Sequence, residues 1–263
     1  MIATEQGGAP SEPFFFDPST LAALAGAHAG GYADAKPFPH VVLDDFLPAW
    51  VGRRVLEEFP APGQIDWRKY DDPNQKKLAN ESEAKLGPFT RHLIAQLNGS
   101  TFVSFIEQLT GIEGLIPDPH LRGGGLHQIQ RGGLLKVHAD FNWYPRLKLD
   151  RRLNLLFYLN EDWHEEYGGH LELWDTAMTR CERRVLPVFN RCVVFSTTDT
   201  AFHGHPEPLT CPEGRTRKSL ALYYYSNGRP AEETARPHST QFKKRPSEQG
   251  WLGRLRGLTK PRG

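Results

Sequence analysis

The chain has 263 residues, which is the length of one ordinary domain with extended ends. Hydrophobic residues make up 38% of it, and no run approaches the ~18 consecutive apolar residues that a transmembrane helix requires, so we expect no membrane span. Lysine and arginine number 32 against 31 aspartate and glutamate. This near-neutral balance disfavours nucleic acid as a partner, because nucleic-acid-binding domains usually carry a basic stripe.

The cysteines and the N-terminal residues bear on the compartment. Cys181, Cys192 and Cys211 are odd in number and widely spaced, which disfavours a disulfide framework or a cysteine zinc site and favours a reducing cytoplasm. The first thirty residues show no basic segment before an apolar run, so we expect no signal peptide.

The two ends of the chain differ in composition from its middle. Residues 1–37 are rich in Gly, Ala, Ser and Pro, and the sequence Asp17-Pro18-Ser19 before an alanine-rich run predicts a short helix on a loosely held arm. Residues 230–263 carry eight Lys or Arg against three Glu, which is typical of a solvated, partly disordered tail. We therefore expect a single folded domain over residues 38–229.

Helical patterns come first within this domain. The segment FPHVVL predicts a strand, and the next apolar residues, Val51, Val55 and Phe59, are spaced as on one face of a helix. Residues 71–83 are polar and predict a loop. A longer helical pattern over residues 89–111 ends on a glycine and predicts one long helix or two abutting helices.

From residue 124 onward the pattern changes to short strands. Seven β-rich segments are separated by Gly, Pro, Asp or Asn, namely LHQIQ, LLKVH, RRLNLLFYL, HLELW, RVLPV, CVVFS and RKSLALYYYS. So many short strands in sequence indicate a double-sheet barrel or jelly roll. Since helices precede strands, we expect an α+β fold that is mainly β, with N-terminal helices supporting a jelly-roll core at about residues 124–226.

One short motif contains residue types that bind metal ions. His138 and Asp140 stand two residues apart at the end of a predicted strand, so their side chains point to the same side of the sheet. With a second histidine from a distant strand they would form the two-histidine, one-carboxylate face that binds Fe(II) and leaves positions open for a co-substrate and O₂. Taken alone, the pair also fits a polar surface turn.

Four further pieces follow this motif in order. They are the strand end YLN, the pair Gly168-Gly169 opening a strand, the strand CVVFS before His203, and Arg217 on the last strand. In this order they resemble the 2-oxoglutarate- and Fe(II)-dependent oxygenases of the prolyl hydroxylase type. The resemblance covers about residues 38–228, most firmly 126–226, and implies a double-stranded β-helix, which is a jelly roll.

The resemblance assigns the metal ligands. His138 and Asp140 match the first two iron ligands of the family, and the third is His203 or His205. His203 is preferred because it lies eight residues after Phe195, which is the family's gap. His205 is then a neighbour near the metal or at the substrate mouth.

The resemblance also assigns the 2-oxoglutarate contacts. Arg217 matches the arginine that binds the distal carboxylate, which must be neutralised when it is buried, and a guanidinium can grip it with two parallel hydrogen bonds. Ser219 lies on the same strand face, and Tyr158 matches a tyrosine that donates to the same carboxylate. Two alternatives stay open: Arg215 as the clamp, and Tyr158 as a core aromatic residue.

Two further groups are candidate contacts. Gln130 stands where many relatives have a tyrosine, eight residues before the first ligand, and it would line the 2-oxoglutarate pocket or belong to a polar pair at the core edge. The loop after Asp140 is a candidate substrate lid, with Trp143, Tyr144 and Arg146 as contacts, or else an ordinary surface loop.

The function implied by the resemblance is a dioxygenase that hydroxylates a C–H bond and releases succinate and CO₂. Its partners are O₂ and a peptidyl residue (prolyl among the candidates), an amino acid or a small molecule, with ascorbate as a candidate reductant. The alternatives are a desaturase or halogenase of the same cofactor class, and a cupin-like binding protein without turnover. The oligomeric state is left open by the sequence.

Overall fold

The chain folds as an antiparallel jelly roll with helices against one side, seen in a computed structural model that describes residues 14–249. Its helices are α1 (Pro18–Asp34), α2 (Ala49–Glu57), α3 (Pro88–Leu97) and α4 (Ser100–Thr110). Its strands are β1 (His40–Leu43), β2 (Arg68–Asp72), β3 (Gln75–Asn80), β4 (Ile116–Pro117), β5 (Gly125–Ile129), β6 (Leu134–Ala139), β7 (Trp143–Tyr144), β8 (Leu149–Tyr158), β9 (Leu171–Trp174), β10 (Cys181–Val185), β11 (Cys192–Ser196), β12 (His203–His205), β13 (Arg217–Ser226) and β14 (Gln241–Phe242). Of the helices in residues 14–249, none is both long and apolar enough to span a bilayer.

The strand order confirms the predicted fold class. The strands follow one another as β1-β11-β8-β13-β5-β3-β6-β12-β9-β10, and these neighbours pair antiparallel. Strand β3 joins the two halves of the sheet, because it pairs with β5 on one side and with β6 on the other. The sheet thus curls around an interior, as a jelly roll does.

The alternation of residues along β13 separates the helix side from the interior. Leu220, Leu222 and Tyr224 belong to the large apolar core that the sheet shares with the helices. Because successive strand residues point to opposite faces, Arg217 and Ser219 point to the interior. Polar residues in this strand therefore mark the side on which a site is built.

The N-terminal helix is longer and more tightly packed than we expected. Asp17 caps it by accepting a hydrogen bond from the Thr20 backbone at 2.8 Å. Leu21 and Ala25 are buried with the core, and the Tyr32 hydroxyl lies 2.7 Å from Ser196 Oγ on β11. The alanine-rich sequence of α1 does not indicate this packing, because the packing depends on contact with α4. Residues 1–13 of the predicted arm lie outside the described residues.

The expectation of a loop over residues 71–83 is corrected by the structure. Strands β2 and β3 form a hairpin in which Asp72 pairs with Gln75 across a two-residue turn. Leu78 and Ala79 are buried where β3 pairs with β5. The segment is polar because most of its side chains face water or the interior, so the apolar signal of a strand is reduced to two residues.

The helical pattern over residues 89–111 is two helices, one of the two arrangements that we predicted. Helix α3 ends at Leu97, and Gly99 precedes the first turn of α4. Gly111 closes α4 in the left-handed conformation, with φ of 70°, where glycine is favoured. The predicted strand at residues 40–43 and the helix after it are likewise present as β1 and α2.

The tail is partly folded against the jelly roll. Residues 236–249, which we name the C-terminal strap, include β14, and β14 pairs with β6 so that Phe242 lies opposite His138. Lys136 pairs with Glu248, and Arg245 pairs with Glu207 at 2.6 Å. These contacts arise from tertiary neighbours, and so the expectation of a solvated tail does not hold for this segment. Residues 250–263 lie outside the described residues.

Candidate active site

Three metal-binding side chains converge in the interior. His138, Asp140 and His203 are buried, and one ligand atom of each lies within 4.8 Å of the others. The Nε2 atoms of His138 and His203 lie 3.6 Å and 3.4 Å from the two carboxylate oxygens of Asp140. These distances are long for hydrogen bonds, and they suit donors around a shared ion, since a metal about 2.1 Å from each donor separates the donors by about 3 Å or more.

The backbone sets the tautomer of both histidines. Nδ1 of His138 lies 2.8 Å from the Lys136 carbonyl oxygen, and Nδ1 of His203 lies 2.9 Å from the Ala201 carbonyl oxygen. A carbonyl oxygen only accepts, so each Nδ1 carries the proton and each Nε2 offers a lone pair. Burial lowers the pKa of His203 to about 4, which keeps this ring neutral. Two imidazoles in their neutral form, together with a carboxylate, make up the donor set that suits Fe(II).

Asp140 is held ionised and oriented by two residues on β8 that the sequence analysis missed. Its Oδ2 accepts a hydrogen bond from Asn154 Nδ2 at 2.7 Å and lies 3.1 Å from the Arg151 guanidinium. Burial alone would raise the pKa of the Asp140 carboxyl, but Arg151 and the two histidines hold it well below its usual range. The available signal was the presence of polar residues within the apolar strand RRLNLLFYL.

The pairing of β6 with β12 brings the distant histidine to the motif. His203 lies directly opposite His138 in the register. A Cβ at Gly204 would lie 2.8 Å from the carbonyl oxygens of Leu135 and Lys136, so the step after His203 requires glycine. The sequence His-Gly-His therefore encodes a close approach of two strands.

A buried guanidinium faces the same interior. Arg217 Nε donates to the Gly169 carbonyl oxygen at 2.8 Å, and its Nη2 donates to the Tyr158 hydroxyl at 3.2 Å. Ser219 lies opposite Tyr158 in the register of β13 with β8. Within residues 14–249 no carboxylate forms an ion pair with Arg217, although a buried guanidinium without a counter-ion is costly. The residues present therefore fit an external carboxylate.

The arrangement around Arg217 favours it over Arg215 as the arginine that faces the interior. Arg215 turns away from the interior and donates to the carbonyl oxygens of Glu161 and Asp162 at 2.8 and 2.9 Å. A Cβ at Gly169 would lie 2.9 Å from Arg217 Cδ, so this glycine, with φ of +73°, makes room for the arginine. This contact explains the second glycine of the Gly168-Gly169 pair, while the first has space around it and a φ of +69°.

Comparison with known proteins agrees with the geometry. Residues 124–225 match the model of the 2OG-Fe(II) oxygenase superfamily. These residues form a 2OG-Fe(II) oxygenase domain. The fold resembles a prolyl-4-hydroxylase from Pseudomonas putida, with a TM-score of 0.54 and 18% identity over 79% of this chain and 100% of that one. It also resembles a Trichoplax adhaerens prolyl hydroxylase in complex with a hypoxia-inducible-factor peptide, with a TM-score of 0.52 and 16% identity over 79% and 91% of the two chains.

One curated relative is similar in sequence. Prolyl 3-hydroxylase OGFOD1 of Mus musculus is 23% identical over 205 residues, which are 76% of this chain. The aligned part is 35% of that relative, so this chain spans about a third of its length.

His205 supports the assignment of a polar co-substrate to the oxygenase domain. Its ring is buried, and neither nitrogen has a hydrogen-bond partner among the described residues. Burial, followed by the charges of Arg217 and Lys77, lowers its pKa well below the usual range. Buried polar atoms are normally satisfied. The unpartnered His205 beside the free guanidinium thus fits a polar guest such as 2-oxoglutarate.

A cavity of about 630 Å³ opens from His138 and Asp140 of the oxygenase domain to the surface. Trp143, which we assigned to the candidate lid, lines it. Tyr144 does not, because adjacent strand residues point to opposite sides, and its ring packs 5.6 Å from Tyr225. Arg146 is exposed in the following turn and is not brought to the cavity. The substrate contacts predicted for Tyr144 and Arg146 are therefore corrected.

The predicted role of Gln130 is also corrected. Gln130 is exposed just beyond the end of β5, and Gln128 is buried on the helix side, where it donates to the Pro60 carbonyl oxygen. The interior position on this strand belongs to His127, which lies opposite Ser219. The side chains of β5 that face the interior are therefore out of phase with Gln130, the position that we assigned from the family.

The C-terminal strap completes the cavity wall of the oxygenase domain. Pro237, His238 and Thr240 line the cavity, and the Phe242 ring centre lies 5.6 Å from that of His138. The strap is fixed beside the site because Asn142 accepts a hydrogen bond from the His238 backbone at 2.9 Å.

The two histidines of β12 should differ in function. We expect His203→Ala to lose activity completely, because it removes a lone pair aimed at the metal position. His205→Ala should keep full metal affinity and part of its turnover, since His138, Asp140 and His203 remain. Turnover and Mn(II) affinity of the two variants, measured side by side, test this, and the reverse order would assign His205 as the ligand.

Asn154 should act on the metal through Asp140. Removing groups that orient a metal ligand typically costs about 10–100-fold in metal affinity or activity, so we expect Asn154→Ala to weaken Mn(II) binding in that range. Calorimetry with Mn(II) measures it, and Asn160→Ala, an asparagine near the other end of the same strand, is the control. Unchanged Mn(II) affinity in Asn154→Ala would remove Asn154 from the site.

Proposed function

We propose that this protein is a 2-oxoglutarate- and Fe(II)-dependent dioxygenase that hydroxylates an unactivated C–H bond of a peptidyl residue, with proline as the first candidate. One observation carries the proposal. The same interior holds the His138–Asp140–His203 cluster and a buried Arg217 without a carboxylate partner in the described chain. The overall reaction consumes one 2-oxoglutarate and one O₂ and gives the hydroxylated product, succinate and CO₂.

Each residue of the site has a distinct task in this reaction. His138, Asp140 and His203 would hold Fe(II) on one face and leave the other positions open. Bound Fe(II) and 2-oxoglutarate supply the oxidative chemistry, while the protein binds and orients the reactants. Arg217 and Tyr158 would grip the far carboxylate of 2-oxoglutarate.

Proline is supported by the similar proteins and by the cavity wall. The curated relative is named a prolyl 3-hydroxylase, and the two similar structures are prolyl hydroxylases. The aromatic residues that line the cavity are Tyr70, Phe141, Trp143, Tyr223 and Phe242. Such faces bury apolar surface well, which suits a pyrrolidine ring beside the metal.

Three rival functions can be compared with the site. A halogenase needs a small residue in place of the carboxylate ligand, and Asp140 occupies that position. A cupin-like binding protein without turnover does not require a buried guanidinium that lacks a carboxylate partner and donates to a tyrosine hydroxyl. A desaturase would use the same residues, so its product must distinguish it.

The test is a substrate screen with two coupled readouts. Candidate prolyl peptides, amino acids and small acids are incubated with Fe(II), 2-oxoglutarate and O₂, and succinate release is measured together with the product mass. A hydroxylase adds one oxygen atom per succinate, whereas a desaturase removes two hydrogen atoms. The control is His138→Ala, which leaves the Arg151–Asp140 pair intact. Equal succinate release from this variant would contradict the proposal.

We also propose a cytoplasmic location and ascorbate as the reductant. The three cysteines are free in the structure, which supports a reducing compartment. Ascorbate follows from the resemblance to prolyl hydroxylases. Stimulation of turnover by ascorbate, compared with dithiothreitol, tests the second part.

A further inference from the structure

The wall of the substrate cavity is positively charged. The cations and carboxylates that line it are Arg68, Lys77, Arg122 and Arg151, and Glu81 and Asp140. Both carboxylates already have partners, since Arg68 lies 3.2 Å from Glu81 and Arg151 lies 3.1 Å from Asp140. Within residues 14–249, Lys77 and Arg122 form no ion pair. The cavity therefore contains two cations, Lys77 and Arg122, that can bind a negatively charged ligand.

Lys77 reaches the cavity from β3, the strand that joins the two halves of the sheet. Lys77 lines the cavity, and its neighbour Leu78 points to the apolar core on the opposite face. Its Nζ lies 5.1 Å from the centre of the Tyr70 ring and makes no hydrogen bond to any described residue. Burial lowers the pKa of Lys77 to about 8, although the charge of Asp140 raises it and that of Arg151 adds a smaller lowering, and the group is still largely protonated at neutral pH.

An ammonium group in this position is costly unless something binds it. A charged group that is removed from water is normally paired with an opposite charge, because an apolar protein environment does not solvate the charge as water does. Arg122 stands at the exposed part of the wall, with its guanidinium 5.3 Å from the Tyr144 ring centre. A negatively charged ligand would thus meet the exposed Arg122 first and the half-buried Lys77 further in.

We propose that the substrate carries a carboxylate, which Lys77 binds directly and Arg122 attracts, while the reacting carbon lies beside His138 and Asp140. This inference rests on the proposed function and specifies its substrate as a peptide with a carboxylate, either on a side chain or at a free C-terminus. A single ligand can contact both regions because Lys77, His138 and Asp140 line one cavity. The aromatic side chains between them would hold the carbon skeleton.

This carboxylate is distinct from those of 2-oxoglutarate. Arg217 and Tyr158, which bind the far carboxylate of the co-substrate, do not line the cavity that holds Lys77. Lys77 also comes from the β2–β3 hairpin rather than from the strands that carry the co-substrate residues. The two carboxylate sites can therefore be tested separately.

The experiment is affinity selection with a defined peptide pool. Wild-type protein loaded with Mn(II) and saturating 2-oxoglutarate, without O₂, is incubated with acetylated proline-containing tetrapeptides that carry Glu, Gln or Lys at each other position. Half of the pool has a free C-terminus and half an amidated one, which distinguishes a side-chain carboxylate from a terminal one. Bound peptides are quantified by mass spectrometry.

We expect enrichment of peptides with Glu or a free C-terminus. Loss of a charged hydrogen bond should reduce this enrichment about tenfold or more in Lys77→Met, and Lys77→Glu should select Lys peptides instead. Lys76→Met is the matched control, because Lys76 is adjacent and exposed, and it should behave as the wild type. The unfolding temperature of Lys77→Met should not fall, since the change removes an unpaired charge.

Three results would overturn the inference. They are no enrichment of carboxylate-bearing peptides by the wild type, enrichment retained in Lys77→Met, and a large loss of 2-oxoglutarate affinity in Lys77→Met, which would assign Lys77 to the co-substrate. Failure of the proposed function looks different. In that case Fe(II)-loaded wild type forms no succinate from 2-oxoglutarate and O₂ with or without peptide, whatever the peptide preference.

Discussion

Arg217→Ala should raise the KM for 2-oxoglutarate by ~100-fold or more, because it leaves the far carboxylate of the co-substrate in a buried site without a cation. Breaking such a buried pair typically costs ~3–5 kcal/mol, and each tenfold in affinity is about 1.4 kcal/mol. Arg217→Lys should lose less, since it keeps the charge but not the two parallel donors. Mn(II) affinity should be nearly unchanged, because Arg217 contacts none of the metal-binding residues.

Arg215→Ala is the matched control for this titration. Arg215 lies two residues earlier on the same chain segment and binds backbone carbonyl oxygens near the surface. Its loss should leave the KM for 2-oxoglutarate within about twofold of the wild type. If 2-oxoglutarate affinity were lost in Arg215→Ala and unchanged in Arg217→Ala, Arg215 would be the residue that binds the far carboxylate. If the KM for 2-oxoglutarate changed in neither variant, both arginines would be excluded.

His138→Ala and Asp140→Ala should each abolish turnover, and the double variant should lose measurable Mn(II) or Fe(II) affinity. The wild type should bind one ion per chain by calorimetry. Binding should weaken in acid, since protonation removes the imidazole lone pair. Full metal affinity in the double variant would contradict the assignment.

The two single variants need different controls for folding. Asp140→Ala leaves the buried guanidinium of Arg151 without its carboxylate, so it should also lower the unfolding free energy, by about 3–5 kcal/mol for a broken buried pair. His138→Ala leaves that pair intact. A loss of metal affinity in His138→Ala at an unchanged unfolding temperature therefore separates a ligand from a structural residue.

The parts of the site that the sequence analysis predicted lie on regular strands. His138 and Asp140 share a strand face because side chains alternate, and Arg217 and Ser219 share one for the same reason. Each of these pairs needs only local geometry, together with the family's order of motifs. The jelly roll follows from many short apolar strands in a row.

The missed parts depend on contacts between residues far apart in sequence. Arg151 binds Asp140 through a side-chain contact between β8 and the end of β6, two strands that do not pair with each other. In the sequence this contact was indicated only by polar residues within an apolar strand. Tyr144 was placed in the substrate lid because it belongs to the loop after Asp140, whereas the alternation of β7 turns its side chain into the core. Lys77 lies in a polar hairpin whose two apolar residues were too few to indicate a strand.

Because the C-terminal strap lines the pocket, the pocket includes residues that lie beyond the segment matching the family. The family match ends at residue 225, whereas one wall of the pocket is built from residues 237–242. A protein shortened to the family boundary would keep every metal ligand and lose that wall, so the edge of β6 beside His138 would be free to pair with another chain. During synthesis the ligands likewise emerge before the segment that shields them. The order of the chain thus leaves the metal site open to solvent until its last wall is in place.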